Sequence, residues 1–175
     1  MLLLPKFLTP EIAELAITSA LHATIEMPEI RATLPKPTDP QCHIVILVPA
    51  MEDARDQGYP KWPAYNLEPH CLCQRSVGDK TKWTDPLDEV AQCKALQLWH
   101  GRNEGGTDIV PHLLFPSDTR WWGGVKRNGI VVTCSGFHCH QDKMLAGLIA
   151  DLCIGLSYNE WVISPDHKDS INFLG

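Results

Sequence analysis

Cys134-Ser135-Gly136-Phe137-His138-Cys139-His140-Gln141-Asp142 is the densest run of chemically capable side chains in the sequence. Imidazoles titrate near neutral pH, so His138 and His140 suit bonding a carboxylate, moving a proton, or ligating iron or zinc. Ser135 and Gly136 allow the backbone to approach a ligand closely. A second cluster, His70-Cys71-Leu72-Cys73, adds soft and borderline ligands. A structural zinc needs four, and His70, Cys71, Cys73, Cys134, His138, Cys139 and His140 offer seven. Strand alternation puts Cys71 and Cys73 on one face, although their one-residue gap is tighter than that of a zinc knuckle. Nucleophilic catalysis by Ser135 or Cys134 beside His138 finds an orienting acid only in Asp142, and Gly-x-Ser-x-Gly is absent. Glycine-rich phosphate loops are absent too. The residues leave open whether the chain is an enzyme.

These side chains need a strand end and a helix start to hold them. Ile130-Val131-Val132-Thr133-Cys134 reads as a strand. After Gly136 the period changes: Met144, Leu145, Leu148, Ile149, Leu152 and Cys153 trace a helical face, predicting a helix over about 140–156 that ends near Gly155. Backbone N–H groups at such a helix start favour an anionic group such as a carboxylate or a tetrapyrrole propionate. Gln141 and Asp142 open the helix. Trp122, with Trp121 and Trp99, offers a flat aromatic surface for a planar ligand, or for core or subunit packing.

Upstream, Thr9-Pro10-Glu11 is a helix start, and the stripe Ile12, Leu15, Ala16, Ser19, Ala20, Ala23 predicts a helix over about 10–26. Pro28, Pro35, Pro37 and Pro40 make the next segment a connector that excludes helix and central strand. Cys42 to Val48 is a β-branched run expected of a strand covered on both faces. Glu52 to Pro69, with Tyr59, Trp62 and Tyr65, reads as a long surface excursion, followed by a strand at 70–77. Leu87, Val90, Ala91, Lys94, Ala95 and Leu98 share one face of a helix over about 86–100, stopped by Gly101. Cys93 and Cys153 fall in helices and read as core. Residues 107–115 carry β-type side chains, and Asn128-Gly129 marks a hairpin turn.

The 175 residues suit one α/β domain of the α+β kind, with a core at about 8–156 and a polar extension at 157–175. Hydrophobic residues at 44% and charged residues at 21% place the chain among folded proteins. A net charge of −6 repels phosphate backbones, so nucleic acid is not an expected partner. The apolar run Ile44–Met51 is far short of a bilayer span, so no membrane association is expected. Seven cysteines in no regular framework, without a leading signal segment, point to a reducing cytoplasm.

The order helix, strand, strand, helix, hairpin, helix, with Ala91-x-x-Lys94-Ala95, resembles the GlcG/HbpS-type haem-binding (haem-degrading) family. Gly123-Gly124, the strand at 130–134, Ser135-Gly136, and Gln141-Asp142 opening a helix with Ala146-Gly147 carry the resemblance further, over about residues 8–156. It implies a profilin-like α/β/α sandwich with a mainly antiparallel sheet, a symmetric homo-oligomer, and tetrapyrrole binding. The sequence thus leads to a small-molecule-binding protein that takes a haem-like or other carboxylate-bearing ligand through Ser135, Gly136, His138, His140, Gln141, Asp142 and Trp122. The rival reading is a zinc enzyme or zinc-stabilised domain built on the two His/Cys clusters.

Overall fold

A computed structural model describes residues 2–52, 67–103 and 111–168. Strand β1 (Leu2–Leu3) precedes helix α1 (Pro10–His22), the single turn α2 (Pro28–Arg31), and strands β2 (Cys42–Glu52) and β3 (Glu68–Val77). Helix α3 (Leu87–Trp99), the hairpin of β4 (Gly124–Arg127) and β5 (Ile130–Ser135), helix α4 (Cys139–Ile163) and the turn α5 (Pro165–Lys168) follow.

Local chemistry accounts for most of these boundaries. Thr9 Oγ1 accepts the Ile12 N–H at 3.4 Å and Pro10 takes the first position of α1, as expected. Gly101, at φ +67°, ends α3: its N–H bonds Leu98 O and the Arg102 N–H bonds Gln97 O, a Schellman pair. Asn128 and Gly129 both have positive φ, the two-residue turn that matches strand twist.

Four expectations need correction. Helix α1 stops at His22, because Thr24 Oγ1 donates back to Ala20 O at 2.7 Å and turns the chain. The proline segment contains one helical turn, since Pro28 sits where a helix needs no N–H donor. Residues 111–113 form a 3-10 turn rather than strand, while 107–110 lie outside the described residues. Helix α4 continues past Gly155 to Ile163, so the start of the expected polar extension is helical. Tyr59, Trp62 and Tyr65 lie outside the described residues.

β2 is the central strand. It pairs antiparallel with β3 on one side and β5 on the other, and through Met51 and Glu52 with β1; β5 pairs with β4. Period-two alternation sends Cys42, Ile44, Ile46 and Val48 to one face, joined by Val132 and Cys134, where α1 and α4 cover them. Val45, Leu47 and Val131 face the other way, onto Ala91, Ala95 and Leu98 of α3. Alanines at these contacts let each helix lie close to the sheet. Each buried Ile, Leu or Val contributes roughly 1.5–3 kcal/mol. The result is the α+β layering expected: two helices, an antiparallel sheet, one helix. Among the described residues, no helix is long and apolar enough to cross a membrane.

Candidate functional site

The strand-to-helix turn at 135–139 opens onto a cleft of about 680 Å³. One wall comes from the α3 end (Asp85, Leu87, Glu89, Val90, Cys93), a second from the loop 117–121, and a third from Ser135 to Cys139. Lys94 and Asp142 complete the lining. A smaller recess of about 170 Å³, which adds Lys36, Gln41 and Thr84, shares Asp85, Leu87, Gly136 and Phe137 with it.

Two glycines make the turn possible. A Cβ on Gly136, at φ +145°, would sit 2.2 Å from Gln41 O, and one on Gly123, at φ +131°, 2.6 Å from Asp142 Cβ. Only glycine lets these backbones meet. The 117–121 loop is tied to α3: the Thr119 N–H donates to Cys93 Sγ at 3.1 Å, and Gln97 Nε2 donates to Thr119 O at 3.0 Å. Arg102 pairs with Asp118 and holds that carboxyl below the usual range.

At the floor, Lys94 Nζ donates to Cys134 O at 2.9 Å and to Asp142 Oδ2 at 3.0 Å. Asp142 Oδ1 accepts the Phe137 N–H at 3.0 Å. Lys94 and Asp142 are each 1% exposed. Burial pushes the Asp142 carboxyl up to about 6, against the opposing pull of Lys94. In the sequence Lys94 stands on the apolar stripe of its helix, where nothing local marks a role for it. A lysine inside such a stripe was the available signal.

At the α4 N-terminus, Gln141 Oε1 accepts the His138 N–H at 3.3 Å, while Gln141 Nε2 donates to Thr33 O at 2.9 Å. Gln141 therefore fastens the proline segment to the helix. Among the described residues, the Cys139 and His140 N–H groups are left as the open donors of the first turn. Arg120 stacks over the Trp121 ring at 4.8 Å and forms no ion pair among the described residues.

Of the expected binding residues, Ser135, Gly136, His138 and Asp142 line the cleft. His140 is outside the lining, its ring stacked on His138 at 5.7 Å. Trp122 is replaced at the cleft by its neighbour Trp121. Cys93, expected in the core, is a cleft residue.

The two His/Cys clusters are separated by β2, since His70, Cys71 and Cys73 ride on β3 and Cys134 on β5. A bulge between Ile46 and Leu47 places Cys73 with the α1/α4 core and Cys71 with the α3 core, so they do not share a face. Cys73 Sγ donates to Glu14 Oε1 at 3.1 Å, and burial with that contact pushes its thiol up to about 12. Cys134 is fully buried and its thiol is raised by burial. Cys139 lines the cleft. Among the described residues, no three His, Cys, Asp or Glu side chains are grouped as a metal ion requires.

No protein-family description, no curated protein and no solved structure matches this chain.

Proposed function

We propose that this chain binds a small carboxylate-bearing molecule in the cleft between the starts of α3 and α4. One juxtaposition carries the reading: an arginine without an ion pair among the described residues, the open helix N–H donor of Cys139 and a buried ammonium line a single recess. Its volume of about 680 Å³ lies within the range of small-molecule sites. Arg120 and the Cys139 N–H suit the carboxylate. Asp85 and Glu89 suit a hydroxyl or amino group on the same molecule.

The haem that the family resemblance implies is a poorer fit. A haem asks for apolar contact on both ring faces, and here the floor is an ion pair and Asp85, Glu89 and Asp118 stand in the walls. His138, the imidazole at the cleft, is exposed at its rim. The residues fit the carboxylate and not the ring.

Calorimetric titration with a series of short hydroxy and amino carboxylates tests the proposal, with haemin followed by its Soret band alongside. Saturable binding of a small carboxylate, weakened about tenfold or more in Arg120→Ala, is the expected result. Binding of none of them, or affinity unchanged in that variant, overturns it.

A further inference from the structure

We infer that Lys94 is a nucleophilic amine that captures a short carbonyl-bearing carboxylate in this cleft as an imine, with Asp142 taking and returning the proton. The inference rests on the cleft being a ligand site. It adds the class of reactant.

Lys94 is 1% exposed, yet it lines the cleft. Two of the three Nζ hydrogens are taken by Cys134 O and Asp142 Oδ2. The third is available to a reactant. A lysine shielded from water and held against a carboxylate that can take its proton is placed as a Schiff-base amine is placed. Asp142 is the base in place: it lies 3.0 Å from the amine, and the Phe137 N–H fixes its other oxygen. Burial also makes this carboxylate a stronger base than an exposed aspartate, while leaving it ionised at neutral pH.

The step balances without a further reagent. The Lys94 ammonium passes a proton to Asp142, and the free amine adds to the carbonyl carbon. After proton transfer from nitrogen to oxygen, the carbinolamine hydroxyl takes the proton back from Asp142 and leaves as water. Overall an ammonium and a carbonyl become an iminium and one water. Arg120 and the open Cys139 N–H of α4 would hold the reactant's own carboxylate, which points to short 2-oxo acids and aldehyde acids.

A lysine kept only to join α3, β5 and α4 would be the slowest of the described lysines to react, because it is the most shielded of them. That contrast sets the experiment. The protein is incubated with glyoxylate, reduced with cyanoborohydride and mapped by peptide mass. The expected result is carboxymethylation of Lys94 ahead of exposed lysines such as Lys80 and Lys82, suppressed by excess glycolate, which has the carboxylate but no carbonyl. In Asp142→Asn the rate at Lys94 falls about a hundredfold while the surface rates stay level. Should that variant not fold, the wild-type map decides alone. Saturable glycolate binding with label only on exposed lysines overturns the imine and leaves the cleft reading standing. Binding of neither acid overturns both.

Discussion

Lys94 Nζ and Asp142 Oδ2 meet at 3.0 Å between side chains that are each 2% exposed. The contact joins α3 to the first turn of α4, and the Lys94 bond to Cys134 O adds the end of β5. Three elements are therefore pinned at the point where the cleft has its floor. In such a setting desolvation of the two charges rivals their attraction, and the uneven outcome is visible in the raised Asp142 carboxyl.

Removing one partner leaves the other charge buried and unpaired. Lys94→Met and Asp142→Leu should each lower unfolding free energy by about 3–5 kcal/mol, and the double variant should recover a large part of the summed loss. Urea unfolding of the four proteins measures this. Single losses below about 1 kcal/mol, the size of a surface pair, would contradict the burial argument.

The pH dependence has a definite sign. The Asp142 carboxyl lies at about 6 in the folded chain against an ordinary 3.8, so between those values the folded state holds more protons than the unfolded one. Its contribution to stability is complete below the lower value and is lost as pH rises through the higher one. The groups facing it are Lys94 from α3, the Cys134 thiol from β5 and the Phe137 N–H. Wild type should therefore gain stability relative to Asp142→Asn when the medium is moved from about pH 7 to about pH 5. A relative loss over that interval would reverse the assignment.

Two glycines of positive φ should respond differently to alanine. Gly136→Ala pushes a methyl to 2.2 Å from Gln41 O, so a loss of at least about 3 kcal/mol is expected. At Gly129 nothing lies within 4 Å of the new Cβ, and the cost should be only the left-handed backbone penalty of about 1–2 kcal/mol. Thermal or urea unfolding distinguishes them, and equal losses would contradict the close approach of β5 to residue 41.

Cysteine labelling reports the same geometry. Burial raises the Cys73, Cys134 and Cys153 thiols, the first to about 12 and the last to about 11, so in folded protein they should resist maleimide. Cys139 and Cys93 line the cleft, and their labelling should be faster and should slow when a carboxylate ligand is added. Rapid modification of Cys134 in folded protein would place the core elsewhere.

Signals that act within a few residues were readable in the sequence. Thr9-Pro10, Gly101 and Asn128-Gly129 each set a boundary through their own backbone chemistry, and each boundary is where the chain places it. Gly155 misled for a related reason: it is not in a left-handed conformation, so it continues the helix instead of ending it. Features that depend on distant partners were hidden. The bulge that parts Cys71 from Cys73 arises only from pairing with β2, and the partner of Lys94 lies 48 positions away in sequence. The turn at 135–142 was correctly located as a strand-to-helix junction, while Arg120 and Trp121 belong to a loop whose position depends on its anchors on α3 and at Asn103.

The most direct measurement is an amide NMR titration of isotope-labelled protein with a short hydroxy carboxylate. The account predicts saturable shifts concentrated at Thr119 to Trp121, at Ser135 to His140 and around Lys94, with little change along β3. Shifts that do not saturate, or that gather on β3 around His70 to Cys73, would contradict it.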